Sequence, residues 1–491
     1  MFYPTFEKVK ELSKSYNIIP ISMEVYADME TPISLFKRFA QDQCFLLESV
    51  EGGEKWARYS FIGRKPFLTL SSRNGDCVIE HRGVQKREKG NPVEILRSIM
   101  KEYKSASINS LPRFTGGAVG YIGYDIVRFY EDLPLSLEDD LKLPDCEFML
   151  TDEVIVYDHL KQKIQIVVNL HTDEQLERGY ITAVDRIKEI YIEISDSRWR
   201  VNQNVKKLQN QDRETEVKSN VSKQEFCQSV SKAKEYIRDG DIFQVVLSQR
   251  FEVQAQEEPL DVYRALRIIN PSPYMYYLGF KDFTIIGSSP ETLVRVENSC
   301  VETCPIAGTR PRGKDQIEDQ NLEEELLSDE KELAEHTMLV DLGRNDIGKI
   351  SKFGTVKVLS PMHIERYSHV MHIVTNVEGT LREDKDAFDA LTAIIPAGTV
   401  SGAPKVRAMQ IIDELEQYKR GPYAGALGYI GFDGTMDMCL TIRTLIFKNG
   451  KAYIQAGAGI VADSVPEKEY DETLRKAQAL INAIKEAGEI I

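Results

Sequence analysis

No apolar run in this chain of 491 residues approaches the ~18 that a membrane-crossing helix requires. Met1 to Lys14 also lacks the apolar core of a secretory leader. Cysteine is scarce and without pattern: seven residues, at 44, 77, 146, 227, 300, 304 and 439. An odd, scattered set argues against a disulfide framework. The single C-x₃-C, Cys300 with Cys304, has no second pair to complete a zinc site. Net positive charge is missing as well. The 62 Lys and Arg against 77 Asp and Glu leave −15, which argues against the basic surface needed for nucleic acid or an anionic membrane. The expectation is a cytoplasmic protein in a reducing compartment that binds neither. An acidic chain still accepts an anionic ligand where arginine, backbone N–H groups or a bridging cation offset the field.

Apolar residues make up 42% of the chain, enough for a sizeable core. The most polar stretch, 202–220, reads as an exposed linker. It separates an expected N-terminal domain, 1–200, from an expected C-terminal domain, 221–487. Each half holds one copy of a glycine-rich element, GAVGYIGYD at 117–125 and GALGYIGFD at 425–433, identical at seven of nine positions. Glycine in a strand lets backbones approach closely, so both halves are expected to place a similar strand in a sheet. Asn74-Gly75 and Asn449-Gly450, each between β-rich runs, predict two-residue hairpins. Helical patterns fall at 92–103, 223–238, 259–269, 329–342, 386–394, 403–415 and 466–487. The expected class is α+β, with two large, mostly antiparallel sheets flanked by helices.

Several side chains stand out for chemistry. Glu335 and His336 lie in a helix that Asp329 is placed to cap and Gly343 to stop. Spacing alone does not separate Glu335 from a solvated glutamate on a surface helix. The last helix, with Ser464 as its expected cap and Pro466 in its first turn, carries Glu469, Glu472 and Lys476 on one face. It follows Gly457-Ala458-Gly459, read as a small-residue turn whose N–H groups suit an anion. If Asn449-Gly450 is a two-residue turn, Arg443 faces Ala456, so an arginine fork and this glycine segment share one end of a hairpin. That pairing suits a carboxylate, and an arginine on the wet face of a sheet is the alternative. His369 and His372 are three apart among β-branched residues, which in a strand puts them on opposite faces and disfavours a two-histidine metal site.

Together the segments DIFQVVLSQR, GSSPETLVRV, PIAGTRPRG, EHTMLVDLGRNDIG, AGTVSGAPK, GPYAGALGYIGFDG, TIRT, QAGAGIVADS and DETLRKA resemble the chorismate-utilising enzymes. With LLESVEGGEKWARYSFIG in the N-terminal half, they resemble the large subunits of anthranilate synthase in particular. The resemblance implies a sandwich with the active site between its layers. It implies that Glu335 and Glu472 hold Mg²⁺, a hard cation served by few carboxylates, waters and substrate oxygens. Arg443, Tyr423 and the Gly457-Ala458-Gly459 backbone would grip the carboxylates of chorismate, while Gly308 and Thr309 line its ring. Glu291 would be the general acid for the departing hydroxyl, with a pKa raised by burial. His372 would serve pyruvate loss, and Thr399 would lie near the ring.

Two positions narrow the reaction that the resemblance implies. Members that add water carry a lysine where this chain has Gln244, and aminodeoxychorismate synthases carry one at Ala307. Ammonia attack at C2 followed by aromatisation is therefore expected. The alternatives are aminodeoxychorismate or aminodeoxyisochorismate synthesis. No cysteine sits in a G-x-C-x-G elbow, so a separate glutamine amidotransferase subunit, in a hetero-oligomer, is expected to supply ammonia. Glu48, Ser49, Pro273, Tyr274 and Met275 match the family's tryptophan feedback site.

Overall fold

The computed structural model describes residues 2–40, 42–49, 58–134, 137–172, 175–196, 216–367 and 370–488. His369, residues 50–57 of the LLESVEGGEKWARYSFIG segment and 202–215 of the polar stretch lie outside them. At the end of that stretch, Val217–Ser219 is a strand paired with Phe251–Val253 and not linker.

The polypeptide forms two large antiparallel sheets with helices on their outer sides, the α+β class expected. In one sheet the neighbours run Phe2–Tyr3, Ile18–Tyr26, Lys163–His171, Glu153–Asp158, Tyr59–Arg64, Cys44–Glu48, Tyr274–Gly279, Thr284–Ser289, Thr444–Lys448, Lys451–Ile460, Gln244–Gln254, Val217–Ser219. In the other they run Ile306–Pro311, Val370–Thr380, Cys300–Thr303, Thr292–Glu297, Met436–Leu440, Ala426–Gly431, Gly117–Ile122, Cys146–Thr151, Leu68–Arg73, Asp76–His81, Val84–Lys89. Both sheets thus draw strands from both halves of the chain, with one seam each. Between the sheets, Phe45, Phe61, Tyr276 and Ile285 of the first meet Tyr121, Met149, Leu427 and Tyr429 of the second in a shared core.

The repeats make the seam of the second sheet. Gly117–Ile122 pairs antiparallel with Ala426–Gly431, centred on Gly120 opposite Gly428, so each copy lies on the other in reverse. Their glycines are required by close approach. A Cβ on Gly120 would collide with the Glu147 carbonyl, and one on Gly428 with that of Asp437. The seam of the first sheet pairs Cys44–Glu48 with Tyr274–Gly279, setting Glu48 opposite Met275.

Both Asn-Gly turns form as predicted. Asn74, Gly75, Asn449 and Gly450 all take positive φ, between 51° and 80°, as the hairpin turn type requires. Asp329 caps its helix, accepting from the N–H groups of Lys331 and Glu332. That helix does not stop at Gly343 but runs Glu330–Gly348. Gly343 instead lets it approach the second sheet, because a Cβ there would stand 3.3 Å from the side chains of Pro305 and Thr303. Ser464 does not cap the last helix, Pro466–Ala487. Its hydroxyl accepts from Val461 N–H at 3.1 Å and closes the preceding turn.

Candidate active site

Short crossings tie the sheets together, and two of them, side by side in the C-terminal half, carry Glu291 and Arg443. Pro290-Glu291 leads from the Thr284–Ser289 strand to the Thr292–Glu297 strand of the opposite sheet. Thr441-Ile442-Arg443 leads back, from Met436–Leu440 to Thr444–Lys448. Backbone bonds lock the crossings side by side: Leu440 N–H donates to the Glu291 carbonyl at 3.0 Å, and Ser288 N–H to the Arg443 carbonyl at 3.1 Å. The Ser289 hydroxyl donates to the Leu440 carbonyl at 2.6 Å. Around Asn449-Gly450 the hairpin register is the one predicted, but ladder pairing ends at Leu445 opposite Ile454. At φ 49° the backbone of Arg443 turns out of the sheet there. Arginine and glycine segment therefore share one end of the hairpin without being paired. Burial, opposed by the nearby Tyr367 and Glu291, draws the Arg443 pKa down.

Glu291 is buried and accepts from the Thr399 hydroxyl at 2.8 Å. Thr399 itself sits on the 3₁₀ turn Gly398–Val400. Burial pushes the Glu291 carboxyl up to about 7, against the opposing pull of the Thr399 bond, Arg443 and Lys476. A carboxylic acid poised near neutrality is a proton donor at physiological pH.

Gly308 sits at an irregularity where the Ile306–Pro311 strand pairs with Val370–Thr380, at φ 64°. The bulge turns its carbonyl onto His372 Nδ1 at 2.9 Å, with the Thr309 hydroxyl also within 3.1 Å. A carbonyl only accepts, so the proton is assigned to Nδ1. The Nε2 lone pair is then left buried and without a hydrogen-bond partner. Burial pulls the His372 pKa down to about 4, which keeps the ring neutral.

Gly457, Ala458 and Gly459 do not form a turn. They lie inside the strand Lys451–Ile460, opposite Ser248, Leu247 and Val246. Ser248 and Val246 send their N–H groups elsewhere, to the Glu416 carboxylate at 2.8 Å and the Ser401 carbonyl at 2.9 Å. Gly457 and Gly459 are therefore non-bonded partners, and their own N–H groups face the edge that the ladder to Thr444–Lys448 has left. Ala458 points to the other face, into an apolar cluster with Val230, Leu247 and Ile411, and brings only backbone to the site. A Cβ on Gly457 would meet the Tyr423 hydroxyl at 2.7 Å, and one on Gly459 the Gln244 amide nitrogen at 2.6 Å. The missing side chains thus leave a floor beneath those groups.

Gln244 Nε2 donates to Glu335 Oε1 at 3.0 Å, and Lys476 donates to the Gly457 carbonyl at 3.0 Å while pairing with Glu472 at 2.7 Å. Both candidate metal carboxylates are thereby anchored to the same three-residue floor. The first turns of their helices lie within electrostatic reach of one another, since the charge of Lys331 on one acts on Glu469 of the other. Burial, then the charge of Glu335, raises the Glu332 pKa. Burial also raises that of Glu469, with the charge of Glu472 adding to it. Among the described residues no three His, Cys, Asp or Glu side chains form a cluster able to hold a metal. Carboxylate oxygens from Glu335 and Glu472, the latter shared with Lys476, are the donor type that suits a hard divalent ion completing its shell with water and a ligand's oxygens.

At the seam of the first sheet a cavity of about 440 Å³ opens, lined by Glu48, Ser49, Pro273, Tyr274 and Met275 together. The Glu48 carboxylate is already engaged, accepting from Tyr263 at 2.7 Å and Arg267 at 2.8 Å. Pro290 and Thr292, the neighbours of Glu291, share the cavity wall. Sequence reasoning missed Arg113, Arg295 and Asp437, which line the same cavity. They come from three distant segments with no common motif, and only the sheet order brings them together.

A family profile described as chorismate binding enzyme matches residues 42–482. Anthranilate synthase component 1 of Acetivibrio thermocellus is 66% identical, with 100% of each chain covered. That of Aquifex aeolicus is 50% identical over 99% of this chain and 98% of its own. Among solved structures, anthranilate synthase component I from Streptococcus pneumoniae superposes with a TM-score of 0.78 at 40% identity, covering 93% of this chain and 98% of its own. Family and fold agree, and the chain belongs to the chorismate-binding enzymes, in the branch formed by anthranilate synthase component 1.

Proposed function

We propose that this chain converts chorismate and ammonia to anthranilate and pyruvate, as a carbon–oxygen lyase dependent on Mg²⁺. The observation that carries the reading is Glu291: a buried acid poised at about 7, on a crossing between sheets, opposite Arg443. Ammonia forms the bond to C2 of the ring, and the 4-hydroxyl leaves as water by taking the proton of Glu291. Hydroxide is a poor leaving group, so a placed acid contributes roughly 10²–10⁴-fold. The neutral His372, with Nε2 free to accept, then takes the C2 proton as the bond from ring C3 to the enolpyruvyl oxygen breaks and the ring becomes aromatic. The enolate that leaves takes up a proton at its methylene carbon, from the imidazolium or from water, and becomes pyruvate. Arg443 and the outward N–H groups of Gly457 and Gly459 hold the carboxylates. Gln244 orients Glu335 and, being no base, leaves water unactivated.

Glu335 and Glu472 would hold the Mg²⁺, which when bound neutralises the ring carboxylate against an acidic wall. The ammonia comes from a glutamine amidotransferase component in a hetero-oligomer. Tryptophan occupies the seam cavity and inhibits by pressing on Pro290 and Thr292, and so on Glu291. The test is to mix the purified chain with chorismate, Mg²⁺ and excess ammonium near neutral pH and follow anthranilate fluorescence and pyruvate. Equal yields of both that vanish with a chelator are expected. Absence of anthranilate overturns the reading.

A further inference from the structure

Among the described residues Arg420 is the bulkiest fully buried side chain, 2% exposed, and no step proposed above uses it. Its guanidinium spends its donors on three separate pieces of chain. Nε and Nη2 grip the two oxygens of Glu416 at 2.8 and 2.5 Å. Nη1 donates to the Val400 carbonyl at 2.8 Å, and Nη2 to the Val246 carbonyl at 2.7 Å. The cation lies 4.8 Å from the ring centre of Tyr124 and 5.6 Å from that of Tyr423. Glu416 in turn accepts from the N–H and the hydroxyl of Ser248, both at 2.8 Å.

The two carbonyls are not arbitrary. Val400 follows Thr399, the partner of Glu291. Val246 lies two residues from Gln244, the partner of Glu335, and opposite Gly459. Tyr423 stands over Gly457. A stability role alone is a weak explanation for the charge. An apolar side chain of similar volume usually serves a core as well as a buried ion pair does. A flat fork of five donors in fixed geometry is what a joint between several backbones needs, and lysine, with three donors on a flexible stem, cannot reproduce it.

We propose that Arg420 is a positioning residue, which sets the distance between the general-acid pair Glu291–Thr399 and the metal carboxylate Glu335 by bolting together the two segments that carry their partners. It touches no reacting atom. The inference rests on the roles given above to Glu291 and Glu335.

The test compares Arg420→Lys and Glu416→Gln with the unmodified chain, with free ammonia as nucleophile held at one concentration across the pH range, and records kcat, KM for chorismate, thermal midpoint and the pH profile of kcat. In the unmodified chain, activity is expected to fall as pH rises past neutrality, when Glu291 loses its proton. Without that limb the role given to Glu291 fails, whatever the variants do. In Arg420→Lys, Thr399 no longer reaches Glu291. A bond that favoured the carboxylate is lost, so the limb moves to higher pH, while kcat falls roughly 10–100-fold. Glu416→Gln leaves both carbonyl bonds in place and is expected to show the same shift in smaller measure. A lower thermal midpoint with an unmoved limb and an unchanged kcat in the folded fraction overturns the proposal. If Arg420→Lys does not fold, Glu416→Gln decides by the same two criteria.

Discussion

The molecule holds two polar regions a few residues apart, and they treat charge in opposite ways. In the seam cavity acids meet arginines. Glu48 is bonded to Arg267 and Tyr263. Asp437 lies 3.3 Å from Arg295 and 3.8 Å from Arg113, and it accepts from Tyr274 at 2.8 Å. At the proposed catalytic site the arginine stays at a distance: Arg443 acts on Glu291 electrostatically without forming an ion pair with it. Glu291 is held by a hydroxyl, Glu335 by an amide and Glu472 by a lysine of its own helix. Groups already paired build a stiff, selective wall. Glu291 and Glu335, held by neutral donors, keep their proton or their charge available for whatever enters, whereas Glu472 is already paired with Lys476. The difference separates a place that recognises from one that reacts.

The sharpest way to break this contrast is Glu291→Gln. The amide keeps the volume and still accepts from Thr399 but has no proton to give, so kcat should fall by roughly 10²–10⁴-fold. Retained turnover, measured as anthranilate fluorescence, would make Glu291 a wall residue like Glu48. Next come Glu335→Gln and Glu472→Gln, each expected to lose about 10–100-fold in Mg²⁺ affinity, read by titration with Mg²⁺ or Mn²⁺. The exposed Glu258→Gln serves as control, and equal affinities across all three would remove the metal assignment.

On the seam side, Ser49→Phe fills the cavity and is expected to abolish inhibition by tryptophan in a chain that still forms anthranilate. Inhibition that survives would place the effector elsewhere. The smallest effect concerns His372. Its imidazole should titrate near pH 4 by NMR. The unfolded chain binds that proton at a higher pH than the folded one, so stability falls as pH drops through the window from about 6.5 to about 4. His372→Asn should lack this component, and a ring found to be protonated at pH 6 would contradict the tautomer assigned from Gly308.

Where local rules decide, the sequence was readable. Asn-Gly between β-rich runs forced both hairpins, and the register around Asn449-Gly450 followed by counting. The helix at 466–487 and the cap at Asp329 were equally plain. What failed depended on neighbours from far along the chain. Gly343 looks like a helix terminator until the second sheet closes over it, and Gly457-Ala458-Gly459 looks like a turn until Val246–Ser248 pairs with it. The meeting of Glu48 with Met275 was legible only through resemblance, since no spacing rule links residues so distant. Arg420 and Glu416 left no local signal, because a buried pair reads in sequence as a solvated i, i+4 couple.

The reversed overlay of the two repeats bears on how this chain comes into being. Each sheet closes only when strands from both halves interlock, so a ribosome that has released the first two hundred residues presents two unfinished edges, Gly117–Ile122 and Cys44–Glu48. Such edges are templates for mispairing with other nascent chains. Synthesis of the second half is what silences them, which makes folding a late, whole-chain event with slow long-range closure.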